Sequence, residues 1–418
     1  MTLDLNSKIV IVGGGTFGLS TALWLKRQHY QNVTVVDAYE IPSKISAAND
    51  INKIIQSSYT DRFNDSLAKE ALQLWKEDDV FKEHFHDVGI VYCSVEKSSY
   101  EELINLNERR INSGRNPMDE ITSPADFRKI IPSLEGTLPN WKGFYQKDDC
   151  GWAHAKNALI STAKEFLALG GKVIIGEVET ILKQNGLVIG CQTKQGQKID
   201  SNKLIISAGA SSIKFFNFED QMLAKCWTLA HIKLNDKEVE DLKNTPVLLN
   251  YDLGFFFEAD ANNEVKICNE FPGYTNYQDG KSNAESSIPI SKDSIPLEAE
   301  VAIRDLLKQT LPKLATKKFV KSRICWCTDT PNRFFLIDEH PDYNGSLVVA
   351  TGDSGHGFKF MPIVGKYISE LVVKGRNHVN RDFFNHWKWR PETTKDRTDD
   401  RHGSTNTASD LKYIKSWI

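Results

Sequence analysis

Gly13-x-Gly15-x-x-Gly18 stands between the β-branched run Lys8 to Val12 and the helical stretch Leu19 to Lys26. In such a setting the first glycine permits a tight turn. The second lets a pyrophosphate approach the N–H groups at the positive end of the helix, and the third allows close helix–strand packing. Asp37 closes a second strand (NVTVVD, 32–37) 19 residues after Gly18, where an acid can accept hydrogen bonds from an adenosine ribose. Strand, glycine turn, helix and acid together specify a dinucleotide site, but they do not choose FAD over NAD. A second group lies in EVKICNEF. Lys266 alternates with Val265 and Ile267, and Glu270 follows four residues on, so period-2 geometry sets Lys266 and Glu270 on one strand face. A cation there could stabilise developing negative charge and the acid could accept from an amine or hydroxyl; a solvated surface pair has the same pattern. Cys325 and Cys327 flank Trp326, and the ordinary fate of such thiols is that of small buried hydrophobes.

The elements that must position these residues are interleaved along the 418 residues. Strand, glycine turn, helix and strand open the chain as a βαβ unit. Amphipathic helix follows residue 60. HAKNALISTAKEFLALGGKVIIG reads as a helix with a glycine C-cap followed by a strand, and KLIISAGASS as a further buried strand. GFFFEA and EVKICNEF read as antiparallel strands, and LVVATGDSGHGFKFMPIVGKYISELV again as strand, turn and helix. The expected architecture is α/β with an α+β substrate part. A discontinuous Rossmann-type domain would take 1–60, 150–215 and 320–375, a substrate domain 61–149 and 216–319, and a polar tail 376–418. A net charge of −3 gives no case for nucleic acid, and no window resembles a membrane span. Seven cysteines without a CxxC pair argue against a disulfide framework or structural zinc. The opening residues lack a secretory pattern and the final KSWI is no SKL-type address, so a cytoplasmic location is expected.

The strings SAANDINKIIQSSY (46–59), GWAHAKNAL (151–159), CWTLAHIKL (226–234), GFFFEADANNEVKICNEFPGYTN (254–276), RICWCTDTPNRFFLIDEHP (323–341) and GDSGHGFKFMP (352–362) resemble the fungal fructosyl amino acid oxidases, or amadoriases, within the sarcosine-oxidase-like amine oxidases. The resemblance covers nearly the whole chain. It implies a glutathione-reductase-type FAD fold with an antiparallel-sheet substrate domain. It also implies FAD joined through an 8α thioether to Cys325, with Cys327 structural, and a monomer taking a glycated amino acid and dioxygen. The reaction implied is oxidation of the sugar C1–N bond to an imine that hydrolyses to glucosone and free amino acid, with hydrogen peroxide released. The flavin performs the redox step, and the protein supplies orientation and electrostatics.

By the same resemblance Lys266 is the cation that serves oxygen reduction and Glu270 a substrate-contacting acid. Lys359 and Arg401, the latter 16 residues before Trp417, are cations for the substrate carboxylate. Lys53 is held over the flavin, with Ser46 and Asn49 in the same loop, and Tyr59 lines the substrate approach. Thr16 and Phe17 belong to the glycine turn. Asp353, Gly355, Gly357 and Phe358, with Lys359, form the turn along the flavin ring. Trp227 and His231 are as consistent with packing as with a site. Two departures stand out: Asn269 occupies a position where the family commonly has Asp, and the peroxisomal tripeptide is absent. A saccharopine or pipecolate oxidase is the alternative within amine oxidation. A flavin-binding protein without turnover and an NAD-linked dehydrogenase are the alternatives outside it.

Overall fold

The structure is a computed structural model that describes residues 3–278, 283–397 and 408–418, without the side chains of Glu270 and Phe271. Two sheets organise it. The first has the strand order Leu336–Glu339, Leu347–Thr351, Lys203–Ile206, Ile9–Val12, Val33–Asp37, Lys172–Ile175. All neighbours are parallel except Leu336–Glu339, which runs antiparallel to Leu347–Thr351. Ile9–Val12, Lys203–Ile206 and Leu347–Thr351 are buried at every residue, which is why their sequences are near-continuous apolar runs rather than alternating ones.

Helices Thr16–Arg27 and Met361–Lys374 pack in close contact. A Cβ on Gly365 would lie 2.2 Å from the carbonyl of Ser20. In the same crossing the Ser20 hydroxyl donates to the Met361 carbonyl at 2.5 Å and accepts from Gly365 N–H at 2.9 Å. The two ends of the first domain, more than 300 residues apart in sequence, are thus joined over a glycine.

The second sheet has, among the described residues, nine strands. Its core is the long antiparallel set Phe319–Asp329, Leu223–Lys233 and Glu264–Thr275, continued by Gly254–Phe256, Val247–Asn250, Ile90–Ser94, Lys142–Gln146 and Asp119–Ile121. The expectation of an antiparallel sheet needs two amendments: Val247–Asn250 pairs parallel with Ile90–Ser94, and the short strand Ser409–Asp410 pairs parallel with Glu264–Thr275. The expected boundary at 320 also shifts. Phe319–Asp329 pairs along its length with Leu223–Lys233, so the chain re-enters the first sheet only at Leu336. Strand Phe319–Asp329 is part-buried or exposed over its first five residues and almost wholly buried from Ile324 on, so no alternation marks its faces, and its position before a Rossmann-like segment concealed its partner sheet. The tail is anchored rather than merely superficial. Trp387 is buried among Phe63, Phe335 and Phe383, and Arg390 donates to the carbonyls of Phe334 and Phe335.

Substituting Gly365→Ala drives a methyl into the Ser20 backbone. A loss of roughly 2–3 kcal/mol is expected, read as a lower unfolding midpoint in thermal or denaturant melts.

Candidate functional site

The glycine turn opens directly onto a large cavity. Gly13 has φ +107°, a conformation only glycine adopts without strain, and Gly18 stands so close to the Gly13 carbonyl that a Cβ would lie 1.8 Å from it. Gly15 differs. A Cβ there would meet only Ser46 Oγ, at an ordinary 3.6 Å, so nothing in the protein itself requires glycine at this position. Gly15 is also the N-cap of helix Thr16–Arg27. No side chain caps that helix and no acid stands in its first turn, which leaves its N–H groups and positive dipole end facing the cavity wall. Open space at Gly15 and an uncapped helix end together fit an anionic occupant approaching the backbone. Asp37 accepts from Gly14 N–H at 2.8 Å and Tyr39 N–H at 3.0 Å, which braces the turn and aims the carboxylate at the cavity. Burial pushes its pKa up, against the opposing effect of these hydrogen bonds and one from Ser43.

The cavity measures about 830 Å³, within the size class of small-molecule and cofactor sites. It runs from the glycine turn to the face of the second sheet. Thr16, Phe17, Ser46, Lys53, Tyr59, Lys266, Cys325, Asp353, Gly355, Gly357, Phe358 and Lys359 all line it, so residues from widely separated segments meet at one site. Asn49 does not line it: its amide donates to the Ser43 carbonyl at 3.2 Å, and Asp50, Ile51 and Asn52 of the same loop likewise lie behind the wall. Trp227 lines the cavity and covers Gly273, whereas His231 lies outside the lining and bonds Glu264 at 2.9 Å. The backbone of Glu270 lies in strand Glu264–Thr275, but its side chain falls outside the described residues, as does Arg401.

The most charged part of the wall surrounds Lys266, which is 1% exposed. Its Nζ donates to Asp50 Oδ2 and to the Asn52 carbonyl, each at 2.7 Å. Lys53 reaches the same Asp50 oxygen at 2.8 Å. Strand Lys53–Ile55 pairs with Gly151–Ala153, and that small sheet carries the loop against the larger one. Arg323 donates to the Asn49 carbonyl at 2.9 Å from the strand that holds Cys325. Burial would raise the Asp50 pKa, but Lys266, Lys53 and Arg323 override it and hold the carboxyl well below its usual range. Burial works against Lys53 as well, and Asp50 outweighs it to keep that ammonium above its ordinary value. Neither Asp50 nor Arg323 was singled out from sequence. Asp50 in NDINKI reads as loop polarity, and only the fold reveals that it is buried between two lysines 3 and 216 residues away.

At the other end, Tyr59 Oη and His356 Nδ1 are 3.2 Å apart, and His356 Nε2 lies 2.9 Å from the Arg333 carbonyl. Lys359 Nζ sits 5.2 Å from the Tyr59 ring, and Trp75 Nε1 donates to the Lys359 carbonyl at 2.7 Å. Burial, reinforced by Asp61 and Tyr251, pushes the Tyr59 phenol well above its ordinary pKa, so it remains a neutral donor and acceptor. Asp353 Oδ1 accepts from Thr328 N–H at 3.0 Å and fixes the turn that carries Gly355 to Lys359. Cys325 is 9% exposed, with Ala47 O the nearest recorded partner of its thiol at 3.9 Å.

The family model described as "FAD dependent oxidoreductase" matches residues 8–371, spanning both sheets and the whole cavity wall. The chain belongs to the FAD-dependent oxidoreductases. It is 40% identical to fructosamine oxidase (Amadoriase II) from Aspergillus fumigatus, with a TM-score of 0.93 over 100% of this chain and 98% of that one. Fructosyl peptide oxidase from E. terrenum is similar at 33% identity and TM-score 0.90, over 100% and 99% of the two chains. L-saccharopine oxidase of Schizosaccharomyces pombe is 30% identical over 411 residues, covering 92% of this chain and 93% of its own. This flavoenzyme therefore acts at CH–NH bonds with an amadoriase-like fold, as the sequence strings imply.

The spare room at Gly15 yields a test of the cofactor end. Gly15→Val is expected to fold, because the added Cβ meets only the Ser46 hydroxyl at an ordinary 3.6 Å, yet to purify with little or no flavin. Absorbance in the flavin bands against total protein, with a thermal melt alongside, distinguishes lost cofactor from lost fold.

Proposed function

We propose that this flavoenzyme oxidises fructosyl amino acids at the sugar C1–N bond, releasing glucosone, free amino acid and hydrogen peroxide. The observation that carries the reading is the full-length 40% identity to a fructosamine oxidase, together with a cavity that joins an uncapped helix N-terminus to a buried cationic wall. FAD, when bound, accepts two electrons from the substrate and delivers them to dioxygen.

The protein's own groups divide the remaining work. The helix Thr16–Arg27 N-terminus, Gly15 and Asp37 would hold the pyrophosphate and ribose, and the Asp353–Lys359 turn would lie along the ring. Lys266 supplies fixed positive charge where negative charge develops on oxygen. Lys53 adds to that field. Tyr59, neutral and bonded to His356, and the Lys359 ammonium offer a hydroxyl and a cation to a polyhydroxylated, carboxylate-bearing substrate. Glu270 and Arg401 are assigned to the substrate by resemblance. Cys325, accessible from the cavity and free of any disulfide, is the proposed point of covalent attachment.

A second reading has a specific observation behind it: saccharopine oxidase is 30% identical across nearly the whole chain, and saccharopine too presents a secondary amine flanked by carboxylates. Peroxide release from fructosyl valine, ε-fructosyl lysine, saccharopine, pipecolate and sarcosine separates the two. Fructosyl compounds should dominate; peroxide from saccharopine or pipecolate alone would replace the substrate and leave the cofactor reading intact. Lys266→Met should slow flavin reoxidation by dioxygen about 10²- to 10³-fold in stopped flow, with anaerobic reduction by substrate affected far less. Cys325→Ser should release its flavin on acid precipitation, whereas the parent protein retains flavin fluorescence on the denatured chain in a gel.

A further inference from the structure

Lys266 and Asp50 are each buried to about the same degree, at 1% side-chain exposure, and the two groups come from different parts of the molecule: the long strand of the second sheet and the loop that follows the first βαβ unit. A lysine has three donors. Two of those on Lys266 are committed, to Asp50 Oδ2 and the Asn52 carbonyl, and both acceptors belong to one three-residue stretch. No third hydrogen-bond acceptor for it stands among the described residues; the Phe257 and Phe255 rings lie 5.0 and 5.9 Å from Nζ, and Lys266 lines the cavity. The loop thus supplies both hydrogen bonds, and aromatic faces flank the ammonium. Asp50 Oδ2 is also shared with Lys53, while its Oδ1 accepts from Ile51 N–H at 2.9 Å, so the carboxylate itself is fixed in orientation.

The charge arithmetic gives this arrangement a purpose. Lys266, Lys53 and Arg323 gather about Asp50, and Asp293 also acts on Arg323, so three cations meet two carboxylates here and the most buried cation has a counter-charge. A fully buried ammonium without a partner is costly and sheds its proton; with a hydrogen-bonded carboxylate it stays charged. We propose that Asp50 is the positioning residue for the oxygen half-reaction: it fixes Lys266 at the cavity wall and keeps it cationic while dioxygen is reduced. In that half-reaction dioxygen takes two electrons, originally those of the substrate C–H bond, and two protons, which match the hydrogens removed from the substrate carbon and nitrogen, and leaves as hydrogen peroxide. Lys266 contributes charge and ends with the proton count it began with. The inference rests on the reading of Lys266 given above.

The titratable and charged groups facing the pair are Lys53 and Arg323 along the cavity, His231 from the adjacent strand, His154 from the loop before helix Ala155–Ala168, and the thiols of Cys268 and Cys325. Burial lowers both histidines, so neither supplies a replacement positive charge at neutral pH.

The test compares Asp50→Asn, Asp50→Glu, Lys266→Met and the Asp50→Asn/Lys266→Met double variant by stopped-flow reduction and reoxidation across pH. Asp50→Asn is expected to slow reoxidation by about tenfold or more, increasingly so as pH rises, and to slow anaerobic reduction much less. Asp50→Glu should fall between Asn and parent. Adding Asp50→Asn to Lys266→Met should slow reoxidation no further, because Asp50 acts through Lys266. Sulfite affinity, read from the flavin spectrum without turnover, should weaken in Asp50→Asn relative to the parent as pH rises. If Lys266→Met slows reoxidation while Asp50→Asn matches the parent in rate and pH profile, or if the two effects multiply in the double variant, the Asp50 inference is overturned and the Lys266 reading stands. If Lys266→Met itself reoxidises normally, the Lys266 reading fails first. Should Asp50→Asn not accumulate as folded protein, Asp50→Glu decides alone: its extra methylene moves the carboxylate in a closed site and should slow reoxidation severalfold, and parent-like reoxidation overturns the proposal.

Discussion

A lysine with 1% exposure is tolerated in a protein interior only if something repays its lost hydration, and in this fold the repayment comes from Asp50 across the join between the two sheets. Desolvating the two ions costs several kcal/mol each, on the order of the whole stability margin of a domain. The pair is therefore weak evidence for stability and strong evidence for a function that needs charge in that place. Its geometric consequences extend outward. Fixing Asp50 fixes the 46–53 loop, whose Ser46 borders the turn at Gly15 and whose Lys53 begins the small sheet with Gly151–Ala153. Through Asn49 O the same loop receives Arg323 and so registers the strand that carries Cys325. The join between sheets and the wall of the cavity are in this sense one structure.

The legibility of the chain follows the range of the interactions involved. The βαβ opening was readable because its signals are local: a buried parallel strand is apolar at every position, and the turn glycines have steric reasons within a few residues. Even the roles of the individual glycines separate cleanly, since Gly13 and Gly18 answer to the protein and Gly15 to its occupant. The pattern in EVKICNEF correctly put Lys266 on a defined face, but alternation carries no information about what the face meets. The counter-ion lies 216 residues away, and a loop aspartate has no periodicity to betray its burial. Boundaries failed for the same reason. Phe319–Asp329 has the composition of a strand in either sheet, and only pairing with Leu223–Lys233 assigns it. The resemblance to amadoriases supplied what pattern could not, namely that distant strings converge, and the shared cavity wall is where they do.

Similarity to both fructosyl-amine and saccharopine oxidases across the full chain has a physical basis in how the cavity is divided. Its cofactor end is constrained by a single ligand shape: the turn, the uncapped helix, Asp37 and the Asp353–Lys359 segment must fit one dinucleotide, and substitutions there are penalised whatever the substrate. The cationic wall, under the proposed function, would serve dioxygen whichever amine is oxidised. The discriminating surface is what remains, where Tyr59, Tyr251, Asp61, Arg333 and Lys359 line the far end.

That far end mixes both signs of charge with aromatic faces. Arg333 is tied to Asp329 at 2.5 Å, and the Lys359 ammonium stands over Tyr59. A carboxylate alone would be met by cations alone; the addition of phenols and an acid suits a substrate that brings hydroxyls along with its carboxylate. The least constrained part of the wall is therefore where the proposed fructosyl substrate would be told apart from saccharopine.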